Sequence, residues 1–149
     1  MHNNEILGRL ADVLTLKADG LAEIFALGGE TMTGEDARAR TLSLDTEGAV
    51  ACTADELCRF LDGLILDKRG PRETGRPAKP VRKLTHNAIL KKLRIAFNFT
   101  EDDMLRILDA GGSPTTGLAL SPLFRKPGNK HFRTCSDAVL GSFLSGLAL

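Results

Sequence analysis

The chain has 149 residues, 42% of them apolar, and can therefore bury a core as one domain or as two small ones. It contains no stretch of about 18 apolar residues, which excludes a membrane-spanning helix, and its three cysteines form no Cys-x-x-Cys pair, which favours a reducing cytoplasmic location. The net charge of +1 hides a division, because residues 1–66 carry five basic and twelve acidic side chains whereas residues 67–149 carry fifteen basic and seven acidic ones.

The first two helices are predicted close to the N-terminus. Residues 1–5 lack the basic and apolar regions of a secretion signal, which again predicts a cytoplasmic protein. An apolar stripe with helical spacing follows: Ile6, Leu7, Leu10, Val13 and Leu14. This stripe predicts an amphipathic helix with Asn3 or Asn4 as its N-cap. A second helix is predicted over residues 18–27, and Gly28-Gly29 is expected to end it with a left-handed cap.

Two further helices and a linker follow. Residues 33–36 (Thr-Gly-Glu-Asp) predict a short third helix that ends near Leu42, and residues 53–56 (Thr-Ala-Asp-Glu) form a capping-box pattern for the fourth. The apolar positions of this fourth helix are Leu57, Phe60, Leu61, Leu64 and Ile65. Residues 67–83 contain three prolines, two glycines and seven basic residues, a composition that predicts a semi-extended basic linker.

The remaining residues repeat the first half. Shifting residues 3–66 by 83 positions places them on residues 86–149 without a gap, and 17 of the 64 pairs are identical. No segment has the alternation of a strand. The sequence therefore predicts an all-α fold of two homologous repeats, each of about four short helices, with repeat 1 at residues 1–66, the linker at residues 67–83 and repeat 2 at residues 84–149.

The helices of repeat 2 follow from this register. Its second helix is predicted over residues 101–110, before Gly111-Gly112. Its third is predicted over residues 116–124 and contains Pro122, which costs a main-chain hydrogen bond outside a first turn. The predicted N-caps of the four helices are Thr85 or Asn87, Thr100, Thr116 and Ser136.

The most distinctive segment for binding is residues 125–133, which we call the basic loop. It places cationic and titratable side chains around a Pro-Gly turn: Arg125, Lys126, Lys130, His131 and Arg133. Such a loop suits phosphates or an acidic partner. The alternative is a solvated loop with Phe132 buried as a core anchor. The matching residues 42–50 of repeat 1 contain no basic side chain, so only repeat 2 carries this feature.

Basic residues on the first predicted helix of repeat 2 extend the set: Lys91, Lys92 and Arg94. Together with the linker they favour a positive face of the kind that DNA-binding modules use. The alternative is an ordinary helix surface. A helix-turn-helix over residues 102–124 fits less well than a packing turn, because the segment contains Pro122 and offers few polar side chains for base edges.

Catalytic and metal-binding patterns are weak in this sequence. Cys52 and Cys135 occupy equivalent positions before a helix, where a thiol pKa can fall, but small buried residues explain them more simply. Cys58 matches Gly141 and is interpreted as incidental. The histidines have no metal-ligand spacing, and no triad, phosphate loop or dinucleotide fingerprint is present. We therefore expect a protein that is not an enzyme and needs no cofactor or metal.

The repeated motifs resemble those of a known family. Its most specific parts here are residues 87–94 (Asn-x-Ile-Leu-x-x-Leu at their start), residues 123–135 (Leu-Phe-Arg-Lys-Pro-Gly-x-Lys-x-Phe-Arg-x-Cys) and residues 143–147 (Phe-Leu-x-Gly-Leu). This pattern resembles the YehS-like family of small bacterial proteins, a domain of unknown function built as a tandem repeat. The resemblance implies a bacterial cytoplasmic protein and supplies no functional residues. Repeat 1 departs from the pattern over residues 40–51.

Two functional hypotheses remain from the sequence. The preferred one is a binding or regulatory module whose basic second half contacts nucleic acid. The alternative is a protein-interaction or self-assembling module, such as a dimer, in which the acidic half meets the basic half of another copy or another protein.

Overall fold

The computed structural model describes residues 1–70 and 80–149, and the rest of the predicted linker, residues 71–79, lies outside the described residues. Within these ranges the fold is helical without strands, as predicted. The helices are α1 (Asn3–Leu14), α2 (Ala18–Leu27), α3 (Gly34–Ala39), α4 (Ala54–Arg69), α5 (His86–Phe97), α6 (Glu101–Ala110), α7 (Gly117–Leu120) and α8 (Asp137–Leu147). A 3₁₀ turn, Ser121–Phe124, follows α7. The chain forms two compact units, Met1–Leu84 and Thr85–Leu149.

Side-chain caps explain where most of these helices begin. A hydroxyl oxygen accepts a main-chain N–H in the first turn of six helices, at Thr33, Thr53, Thr85, Thr100, Thr116 and Ser136. The capping box predicted at Thr53 is complete, because the Glu56 carboxylate accepts the Thr53 N–H. Both predicted left-handed glycines are also present, with φ of 92° at Gly29 and 96° at Gly112. Helices α2 and α6 have the predicted bounds.

Three predicted boundaries are wrong. Helix α1 begins after His2 without a side-chain cap, so neither Asn3 nor Asn4 caps it. Helix α3 ends at Ala39, before Leu42. Helix α4 continues to Arg69, because the helix-breaking residues begin only at Gly70, so the first three predicted linker residues are helical.

The end of the predicted linker is held by the start of α4. The Val81 N–H donates to a carboxylate oxygen of Asp55 at 2.9 Å, and the other oxygen of Asp55 accepts from the Arg59 guanidinium at 2.9 Å. Both contacts lower the pKa of Asp55, and the hydrogen bond from Val81 has the larger effect. Residue 81 is therefore attached to the first compact unit.

The third helical segment of repeat 2 accommodates its proline by changing helix type. Helix α7 has only four residues and runs directly into the 3₁₀ turn, in whose first turn Pro122 lies. Pro122 has no N–H to continue the α-helical bonding of α7, which agrees with the change to a 3₁₀ turn at this position. Helix α7 is shorter than the recognition helices that enter a major groove, which favours the packing turn over the helix-turn-helix.

Two helices in each unit approach to main-chain contact. In repeat 1, a Cβ placed on Gly63 would lie 1.9 Å from the Ile24 carbonyl oxygen, and one placed on Gly28 would lie 1.7 Å from the Arg59 carbonyl oxygen. Helices α2 and α4 therefore pack through reciprocal glycines. Helices α6 and α8 repeat this packing with the equivalent glycines, Gly111 and Gly146.

Candidate nucleic-acid interface

The basic loop is closed at its base by one buried side chain of α5. The Asn87 amide nitrogen donates to the carbonyl oxygens of Leu123 at 2.9 Å and Arg133 at 2.8 Å. Its amide oxygen accepts the Cys135 N–H at 2.8 Å. Asn87 is 8% exposed, so these bonds satisfy main-chain groups that solvent reaches poorly. One residue thus fixes both ends of the loop.

Asn4 makes a similar set of bonds in repeat 1, in which Val50 and Cys52 are equivalent to Arg133 and Cys135, whereas Leu42 aligns with Arg125 and not with Leu123. Its amide nitrogen donates to the carbonyl oxygens of Leu42 and Val50, both at 2.9 Å, and its amide oxygen accepts the Cys52 N–H at 2.7 Å. We call Asn4 and Asn87 the asparagine clamps. The sequence analysis missed this role and considered both residues as N-caps. The available signal was the recurrence of the same asparagine and the same cysteine in both copies.

The main chain between the ends of the basic loop follows short turns. The Lys126 carbonyl accepts the Asn129 N–H at 3.0 Å, and Gly128 has a φ of 96°. This confirms the predicted Pro-Gly turn. The Pro122 carbonyl accepts the Arg133 N–H at 3.1 Å, which brings the loop back to the 3₁₀ turn.

Residues 42–50 of repeat 1, which we call the acidic loop, have the same main-chain bonds at equivalent positions. The Ser43 carbonyl accepts the Thr46 N–H at 2.8 Å, and the Ala39 carbonyl accepts the Val50 N–H at 3.1 Å. The two loops nevertheless carry opposite charge, since the acidic loop has two acids and no base. The acidic loop therefore serves as an internal control for any property that depends on the cations of the basic loop.

The five cationic and titratable side chains of the basic loop all face solvent: Arg125, Lys126, Lys130, His131 and Arg133. None of them forms an ion pair with the residues that the structure describes. Phe132 is only half-buried, so it is not the buried core anchor of the alternative interpretation. The loop is therefore a concentration of exposed positive charge.

The three basic residues of α5 have different surroundings. Lys91 is exposed one turn after Asn87, and Lys92 is half-buried. The Arg94 guanidinium lies 4.8 Å from the centroid of the Phe124 ring, and its Nε donates to the Phe99 carbonyl at 3.2 Å. Arg94 thus contacts the residue that precedes the basic loop, a packing role that the sequence analysis did not predict.

Burial suppresses the chemistry of the two equivalent cysteines. Desolvation is the largest cause that raises the pKa of Cys52 to about 12 and the pKa of Cys135 to about 11. The nearby Glu56 adds to the shift at Cys52. Both thiols are buried beside the asparagine clamps, whose amide oxygens accept their main-chain N–H groups. These contacts favour an anchoring role for both cysteines.

We expect Cys52 and Cys135 to react with Ellman's reagent only after unfolding. At about pH 8 a thiol with a raised pKa stays protonated, and only the thiolate attacks the reagent. Absorbance should rise slowly in the native protein and quickly in denaturant. Rapid labelling of either cysteine in the native chain, located by mass spectrometry, would contradict the burial argument.

No group of three or more His, Cys, Asp and Glu side chains within residues 1–70 and 80–149 is placed to hold a metal ion. Over the same residues, no helix is both long and apolar enough to cross a bilayer.

Comparisons with known proteins place the chain in a family. The family described as "Protein of unknown function (DUF1456)" matches twice, over residues 3–70 and 86–149. The "Uncharacterized protein YehS" of Escherichia coli (strain K12) is 37% identical over 148 residues, which cover 99% of this chain and 95% of that protein. No solved structure matches significantly. The resemblance inferred from the repeated motifs is thereby confirmed, and the chain belongs to the DUF1456 family, of which it carries two domains in tandem.

Proposed function

We propose that this chain is a cytoplasmic binding module without catalytic activity, and that its basic loop contacts the phosphates of nucleic acid. The observation that carries the proposal is the contrast between the two loops. Their main-chain hydrogen bonds are equivalent, but the basic loop holds four permanent cations in nine residues, all exposed and unpaired within the described residues. A solvated loop has no structural need for such a density of like charge.

The chemistry of the loop favours contact with the nucleic-acid backbone rather than with base edges. Flexible, exposed cations neutralise phosphates and release counterions, a contribution that is independent of base sequence. The turns of the loop give it no helix or strand to place in a groove. Binding of this kind is strongly dependent on salt.

We expect the full chain to bind labelled random duplex DNA or single-stranded RNA with micromolar or tighter affinity at about 50 mM salt. With about four phosphate contacts, the affinity should fall by about 100-fold at about 200 mM salt. Fluorescence anisotropy measures both values. The quadruple variant R125Q/K126Q/K130Q/R133Q should lose most of the binding and most of the salt dependence.

A loop exchange provides the matched control. Replacing residues 125–133 with residues 42–50 keeps the loop length and the clamped carbonyls while removing the cations, and it should abolish binding with an unchanged circular dichroism spectrum. Neutralising Arg106, an exposed cation of α6 outside the basic loop, should leave binding unchanged. Unchanged affinity of the loop variants, or no binding at low salt, would refute the proposal. A salt-dependent oligomer in light scattering would then support the self-assembly alternative.

A further inference from the structure

Repeat 1 contains a groove with a volume of about 820 Å³ beside α1. The lining residues belong to α1 between Asn4 and Asp12, to the start of α2, and to Arg38 of α3 with residues 41–44 after it. The residues of α1 that line it are small: Ala11 stands where repeat 2 has Arg94, and Gly8, which replaces Lys91, lies against the main chain of Thr41. Thr41 stands where repeat 2 has the phenylalanine ring on which Arg94 lies.

Unpaired cations of repeat 1 gather at this groove. Residues 1–66 contain five basic side chains, of which three form ion pairs: Arg9, Arg40 and Arg59. The other two, Lys17 and Arg38, have no ion-pair partner among the described residues, and both line the groove. Both side chains are exposed and are therefore available to a negatively charged ligand in the groove.

The N-cap positions beside the groove also carry basic or titratable side chains that repeat 2 lacks at the equivalent positions. His2 and Lys17 occupy the N-cap positions of α1 and α2, where the equivalent Thr85 and Thr100 cap α5 and α6 through their hydroxyls. Neither α1 nor α2 has a side-chain cap. Repeat 1 has therefore exchanged two capping hydroxyls for two basic or titratable side chains, both of which line the groove.

The remaining lining residues indicate which other chemical groups a ligand of this groove needs. Glu5 is paired with Arg9 at 3.8 Å, which leaves Asp12 as the opposing acid. Leucines form an apolar wall, and Leu44 at its edge is 44% exposed. A binding partner must therefore combine a negative group with an apolar part.

We propose that this groove binds a small organic anion with an apolar body. Lys17 and Arg38 contact the anionic group, and the leucine wall covers the apolar body. This site is separate in sequence from the basic loop, and it does not depend on nucleic-acid binding.

The test uses two fluorescent probes that differ in one charged group. 1-Anilinonaphthalene-8-sulfonate carries a sulfonate on an apolar ring system, and N-phenyl-1-naphthylamine lacks the sulfonate. We expect the full chain to bind the sulfonate probe more tightly than the neutral one. The double variant K17T/R38Q should weaken sulfonate binding by about tenfold, as two exposed charge contacts would. D12N should strengthen it, because that substitution removes the opposing acid.

The controls separate charge from fold. Lys17→Thr installs the cap of repeat 2 and should preserve or increase stability. Lys83→Thr removes an exposed cation outside the groove and should leave the affinity unchanged. The variant A11R/T41F restores the side chains of repeat 2 and should block the groove. Equal sulfonate affinity of K17T/R38Q and K83T, or equal binding of the neutral probe, would overturn the proposal.

Discussion

Replacing Asn87 with alanine is expected to lower the free energy of unfolding of the second compact unit by about 3–5 kcal/mol. The substitution leaves two carbonyl oxygens and the Cys135 N–H without their buried partner, and each such group costs about 1–3 kcal/mol. Urea denaturation measures the loss. Hydrogen exchange should also quicken for residues 123–135, since both ends of the basic loop are released.

Two further variants make this prediction specific. Asn4→Ala should have a similar effect on repeat 1, because Asn4 also bonds two main-chain carbonyls and the N–H of a buried cysteine. Asn129→Ala removes an exposed side chain that accepts only the His131 N–H, and should change stability by less than about 0.5 kcal/mol. Similar losses for Asn87→Ala and Asn129→Ala would contradict the clamp.

Substituting alanine for Gly63 or Gly146 is expected to destabilise the chain by about 3 kcal/mol or more. Glycine to alanine inside a helix normally stabilises by about 0.5–1 kcal/mol. Here the new methyl group would lie 1.9 Å from a main-chain carbonyl oxygen of the facing helix. The helices must move apart, so the sign of the effect reverses. Thermal and urea denaturation both report it.

Gly48→Ala separates this clash from backbone strain. Gly48 has a φ of 86°, and a Cβ there would have no atom within 4 Å. Its replacement should cost only about 1–2 kcal/mol, the penalty of a left-handed conformation. An equal cost at Gly48 and Gly63 would show that the α2–α4 contact is less close than described.

Local signals in the sequence predicted the helices well. The predicted hydroxyl N-caps from Thr53 to Ser136 hold, because capping depends on residues within one turn. The same reasoning failed for Asn4, since asparagine also suits an N-cap. Its actual partners lie 38–48 positions away, and no local pattern encodes that distance.

The sequence predicted one of the two candidate sites and not the other. The basic loop could be predicted because its charged residues lie close together in the sequence. The groove of repeat 1 could not, because it arises from side chains that are small rather than from a motif. The comparison of Ala11 with Arg94 and of Lys17 with Thr100 was available from the repeat register. Only the structure shows that Arg94 packs on Phe124, and hence which side chains repeat 1 lacks beside its groove.

The asparagine clamps also explain how the two loops can differ so completely in sequence. None of the nine aligned pairs between residues 42–50 and 125–133 is identical, yet both loops keep the same main-chain bonds. Because a clamp binds backbone groups alone, mutations in the loop side chains leave the anchorage intact. The side chains of each loop can therefore change, even to the opposite charge, while the main chain of the loop stays anchored to the helices.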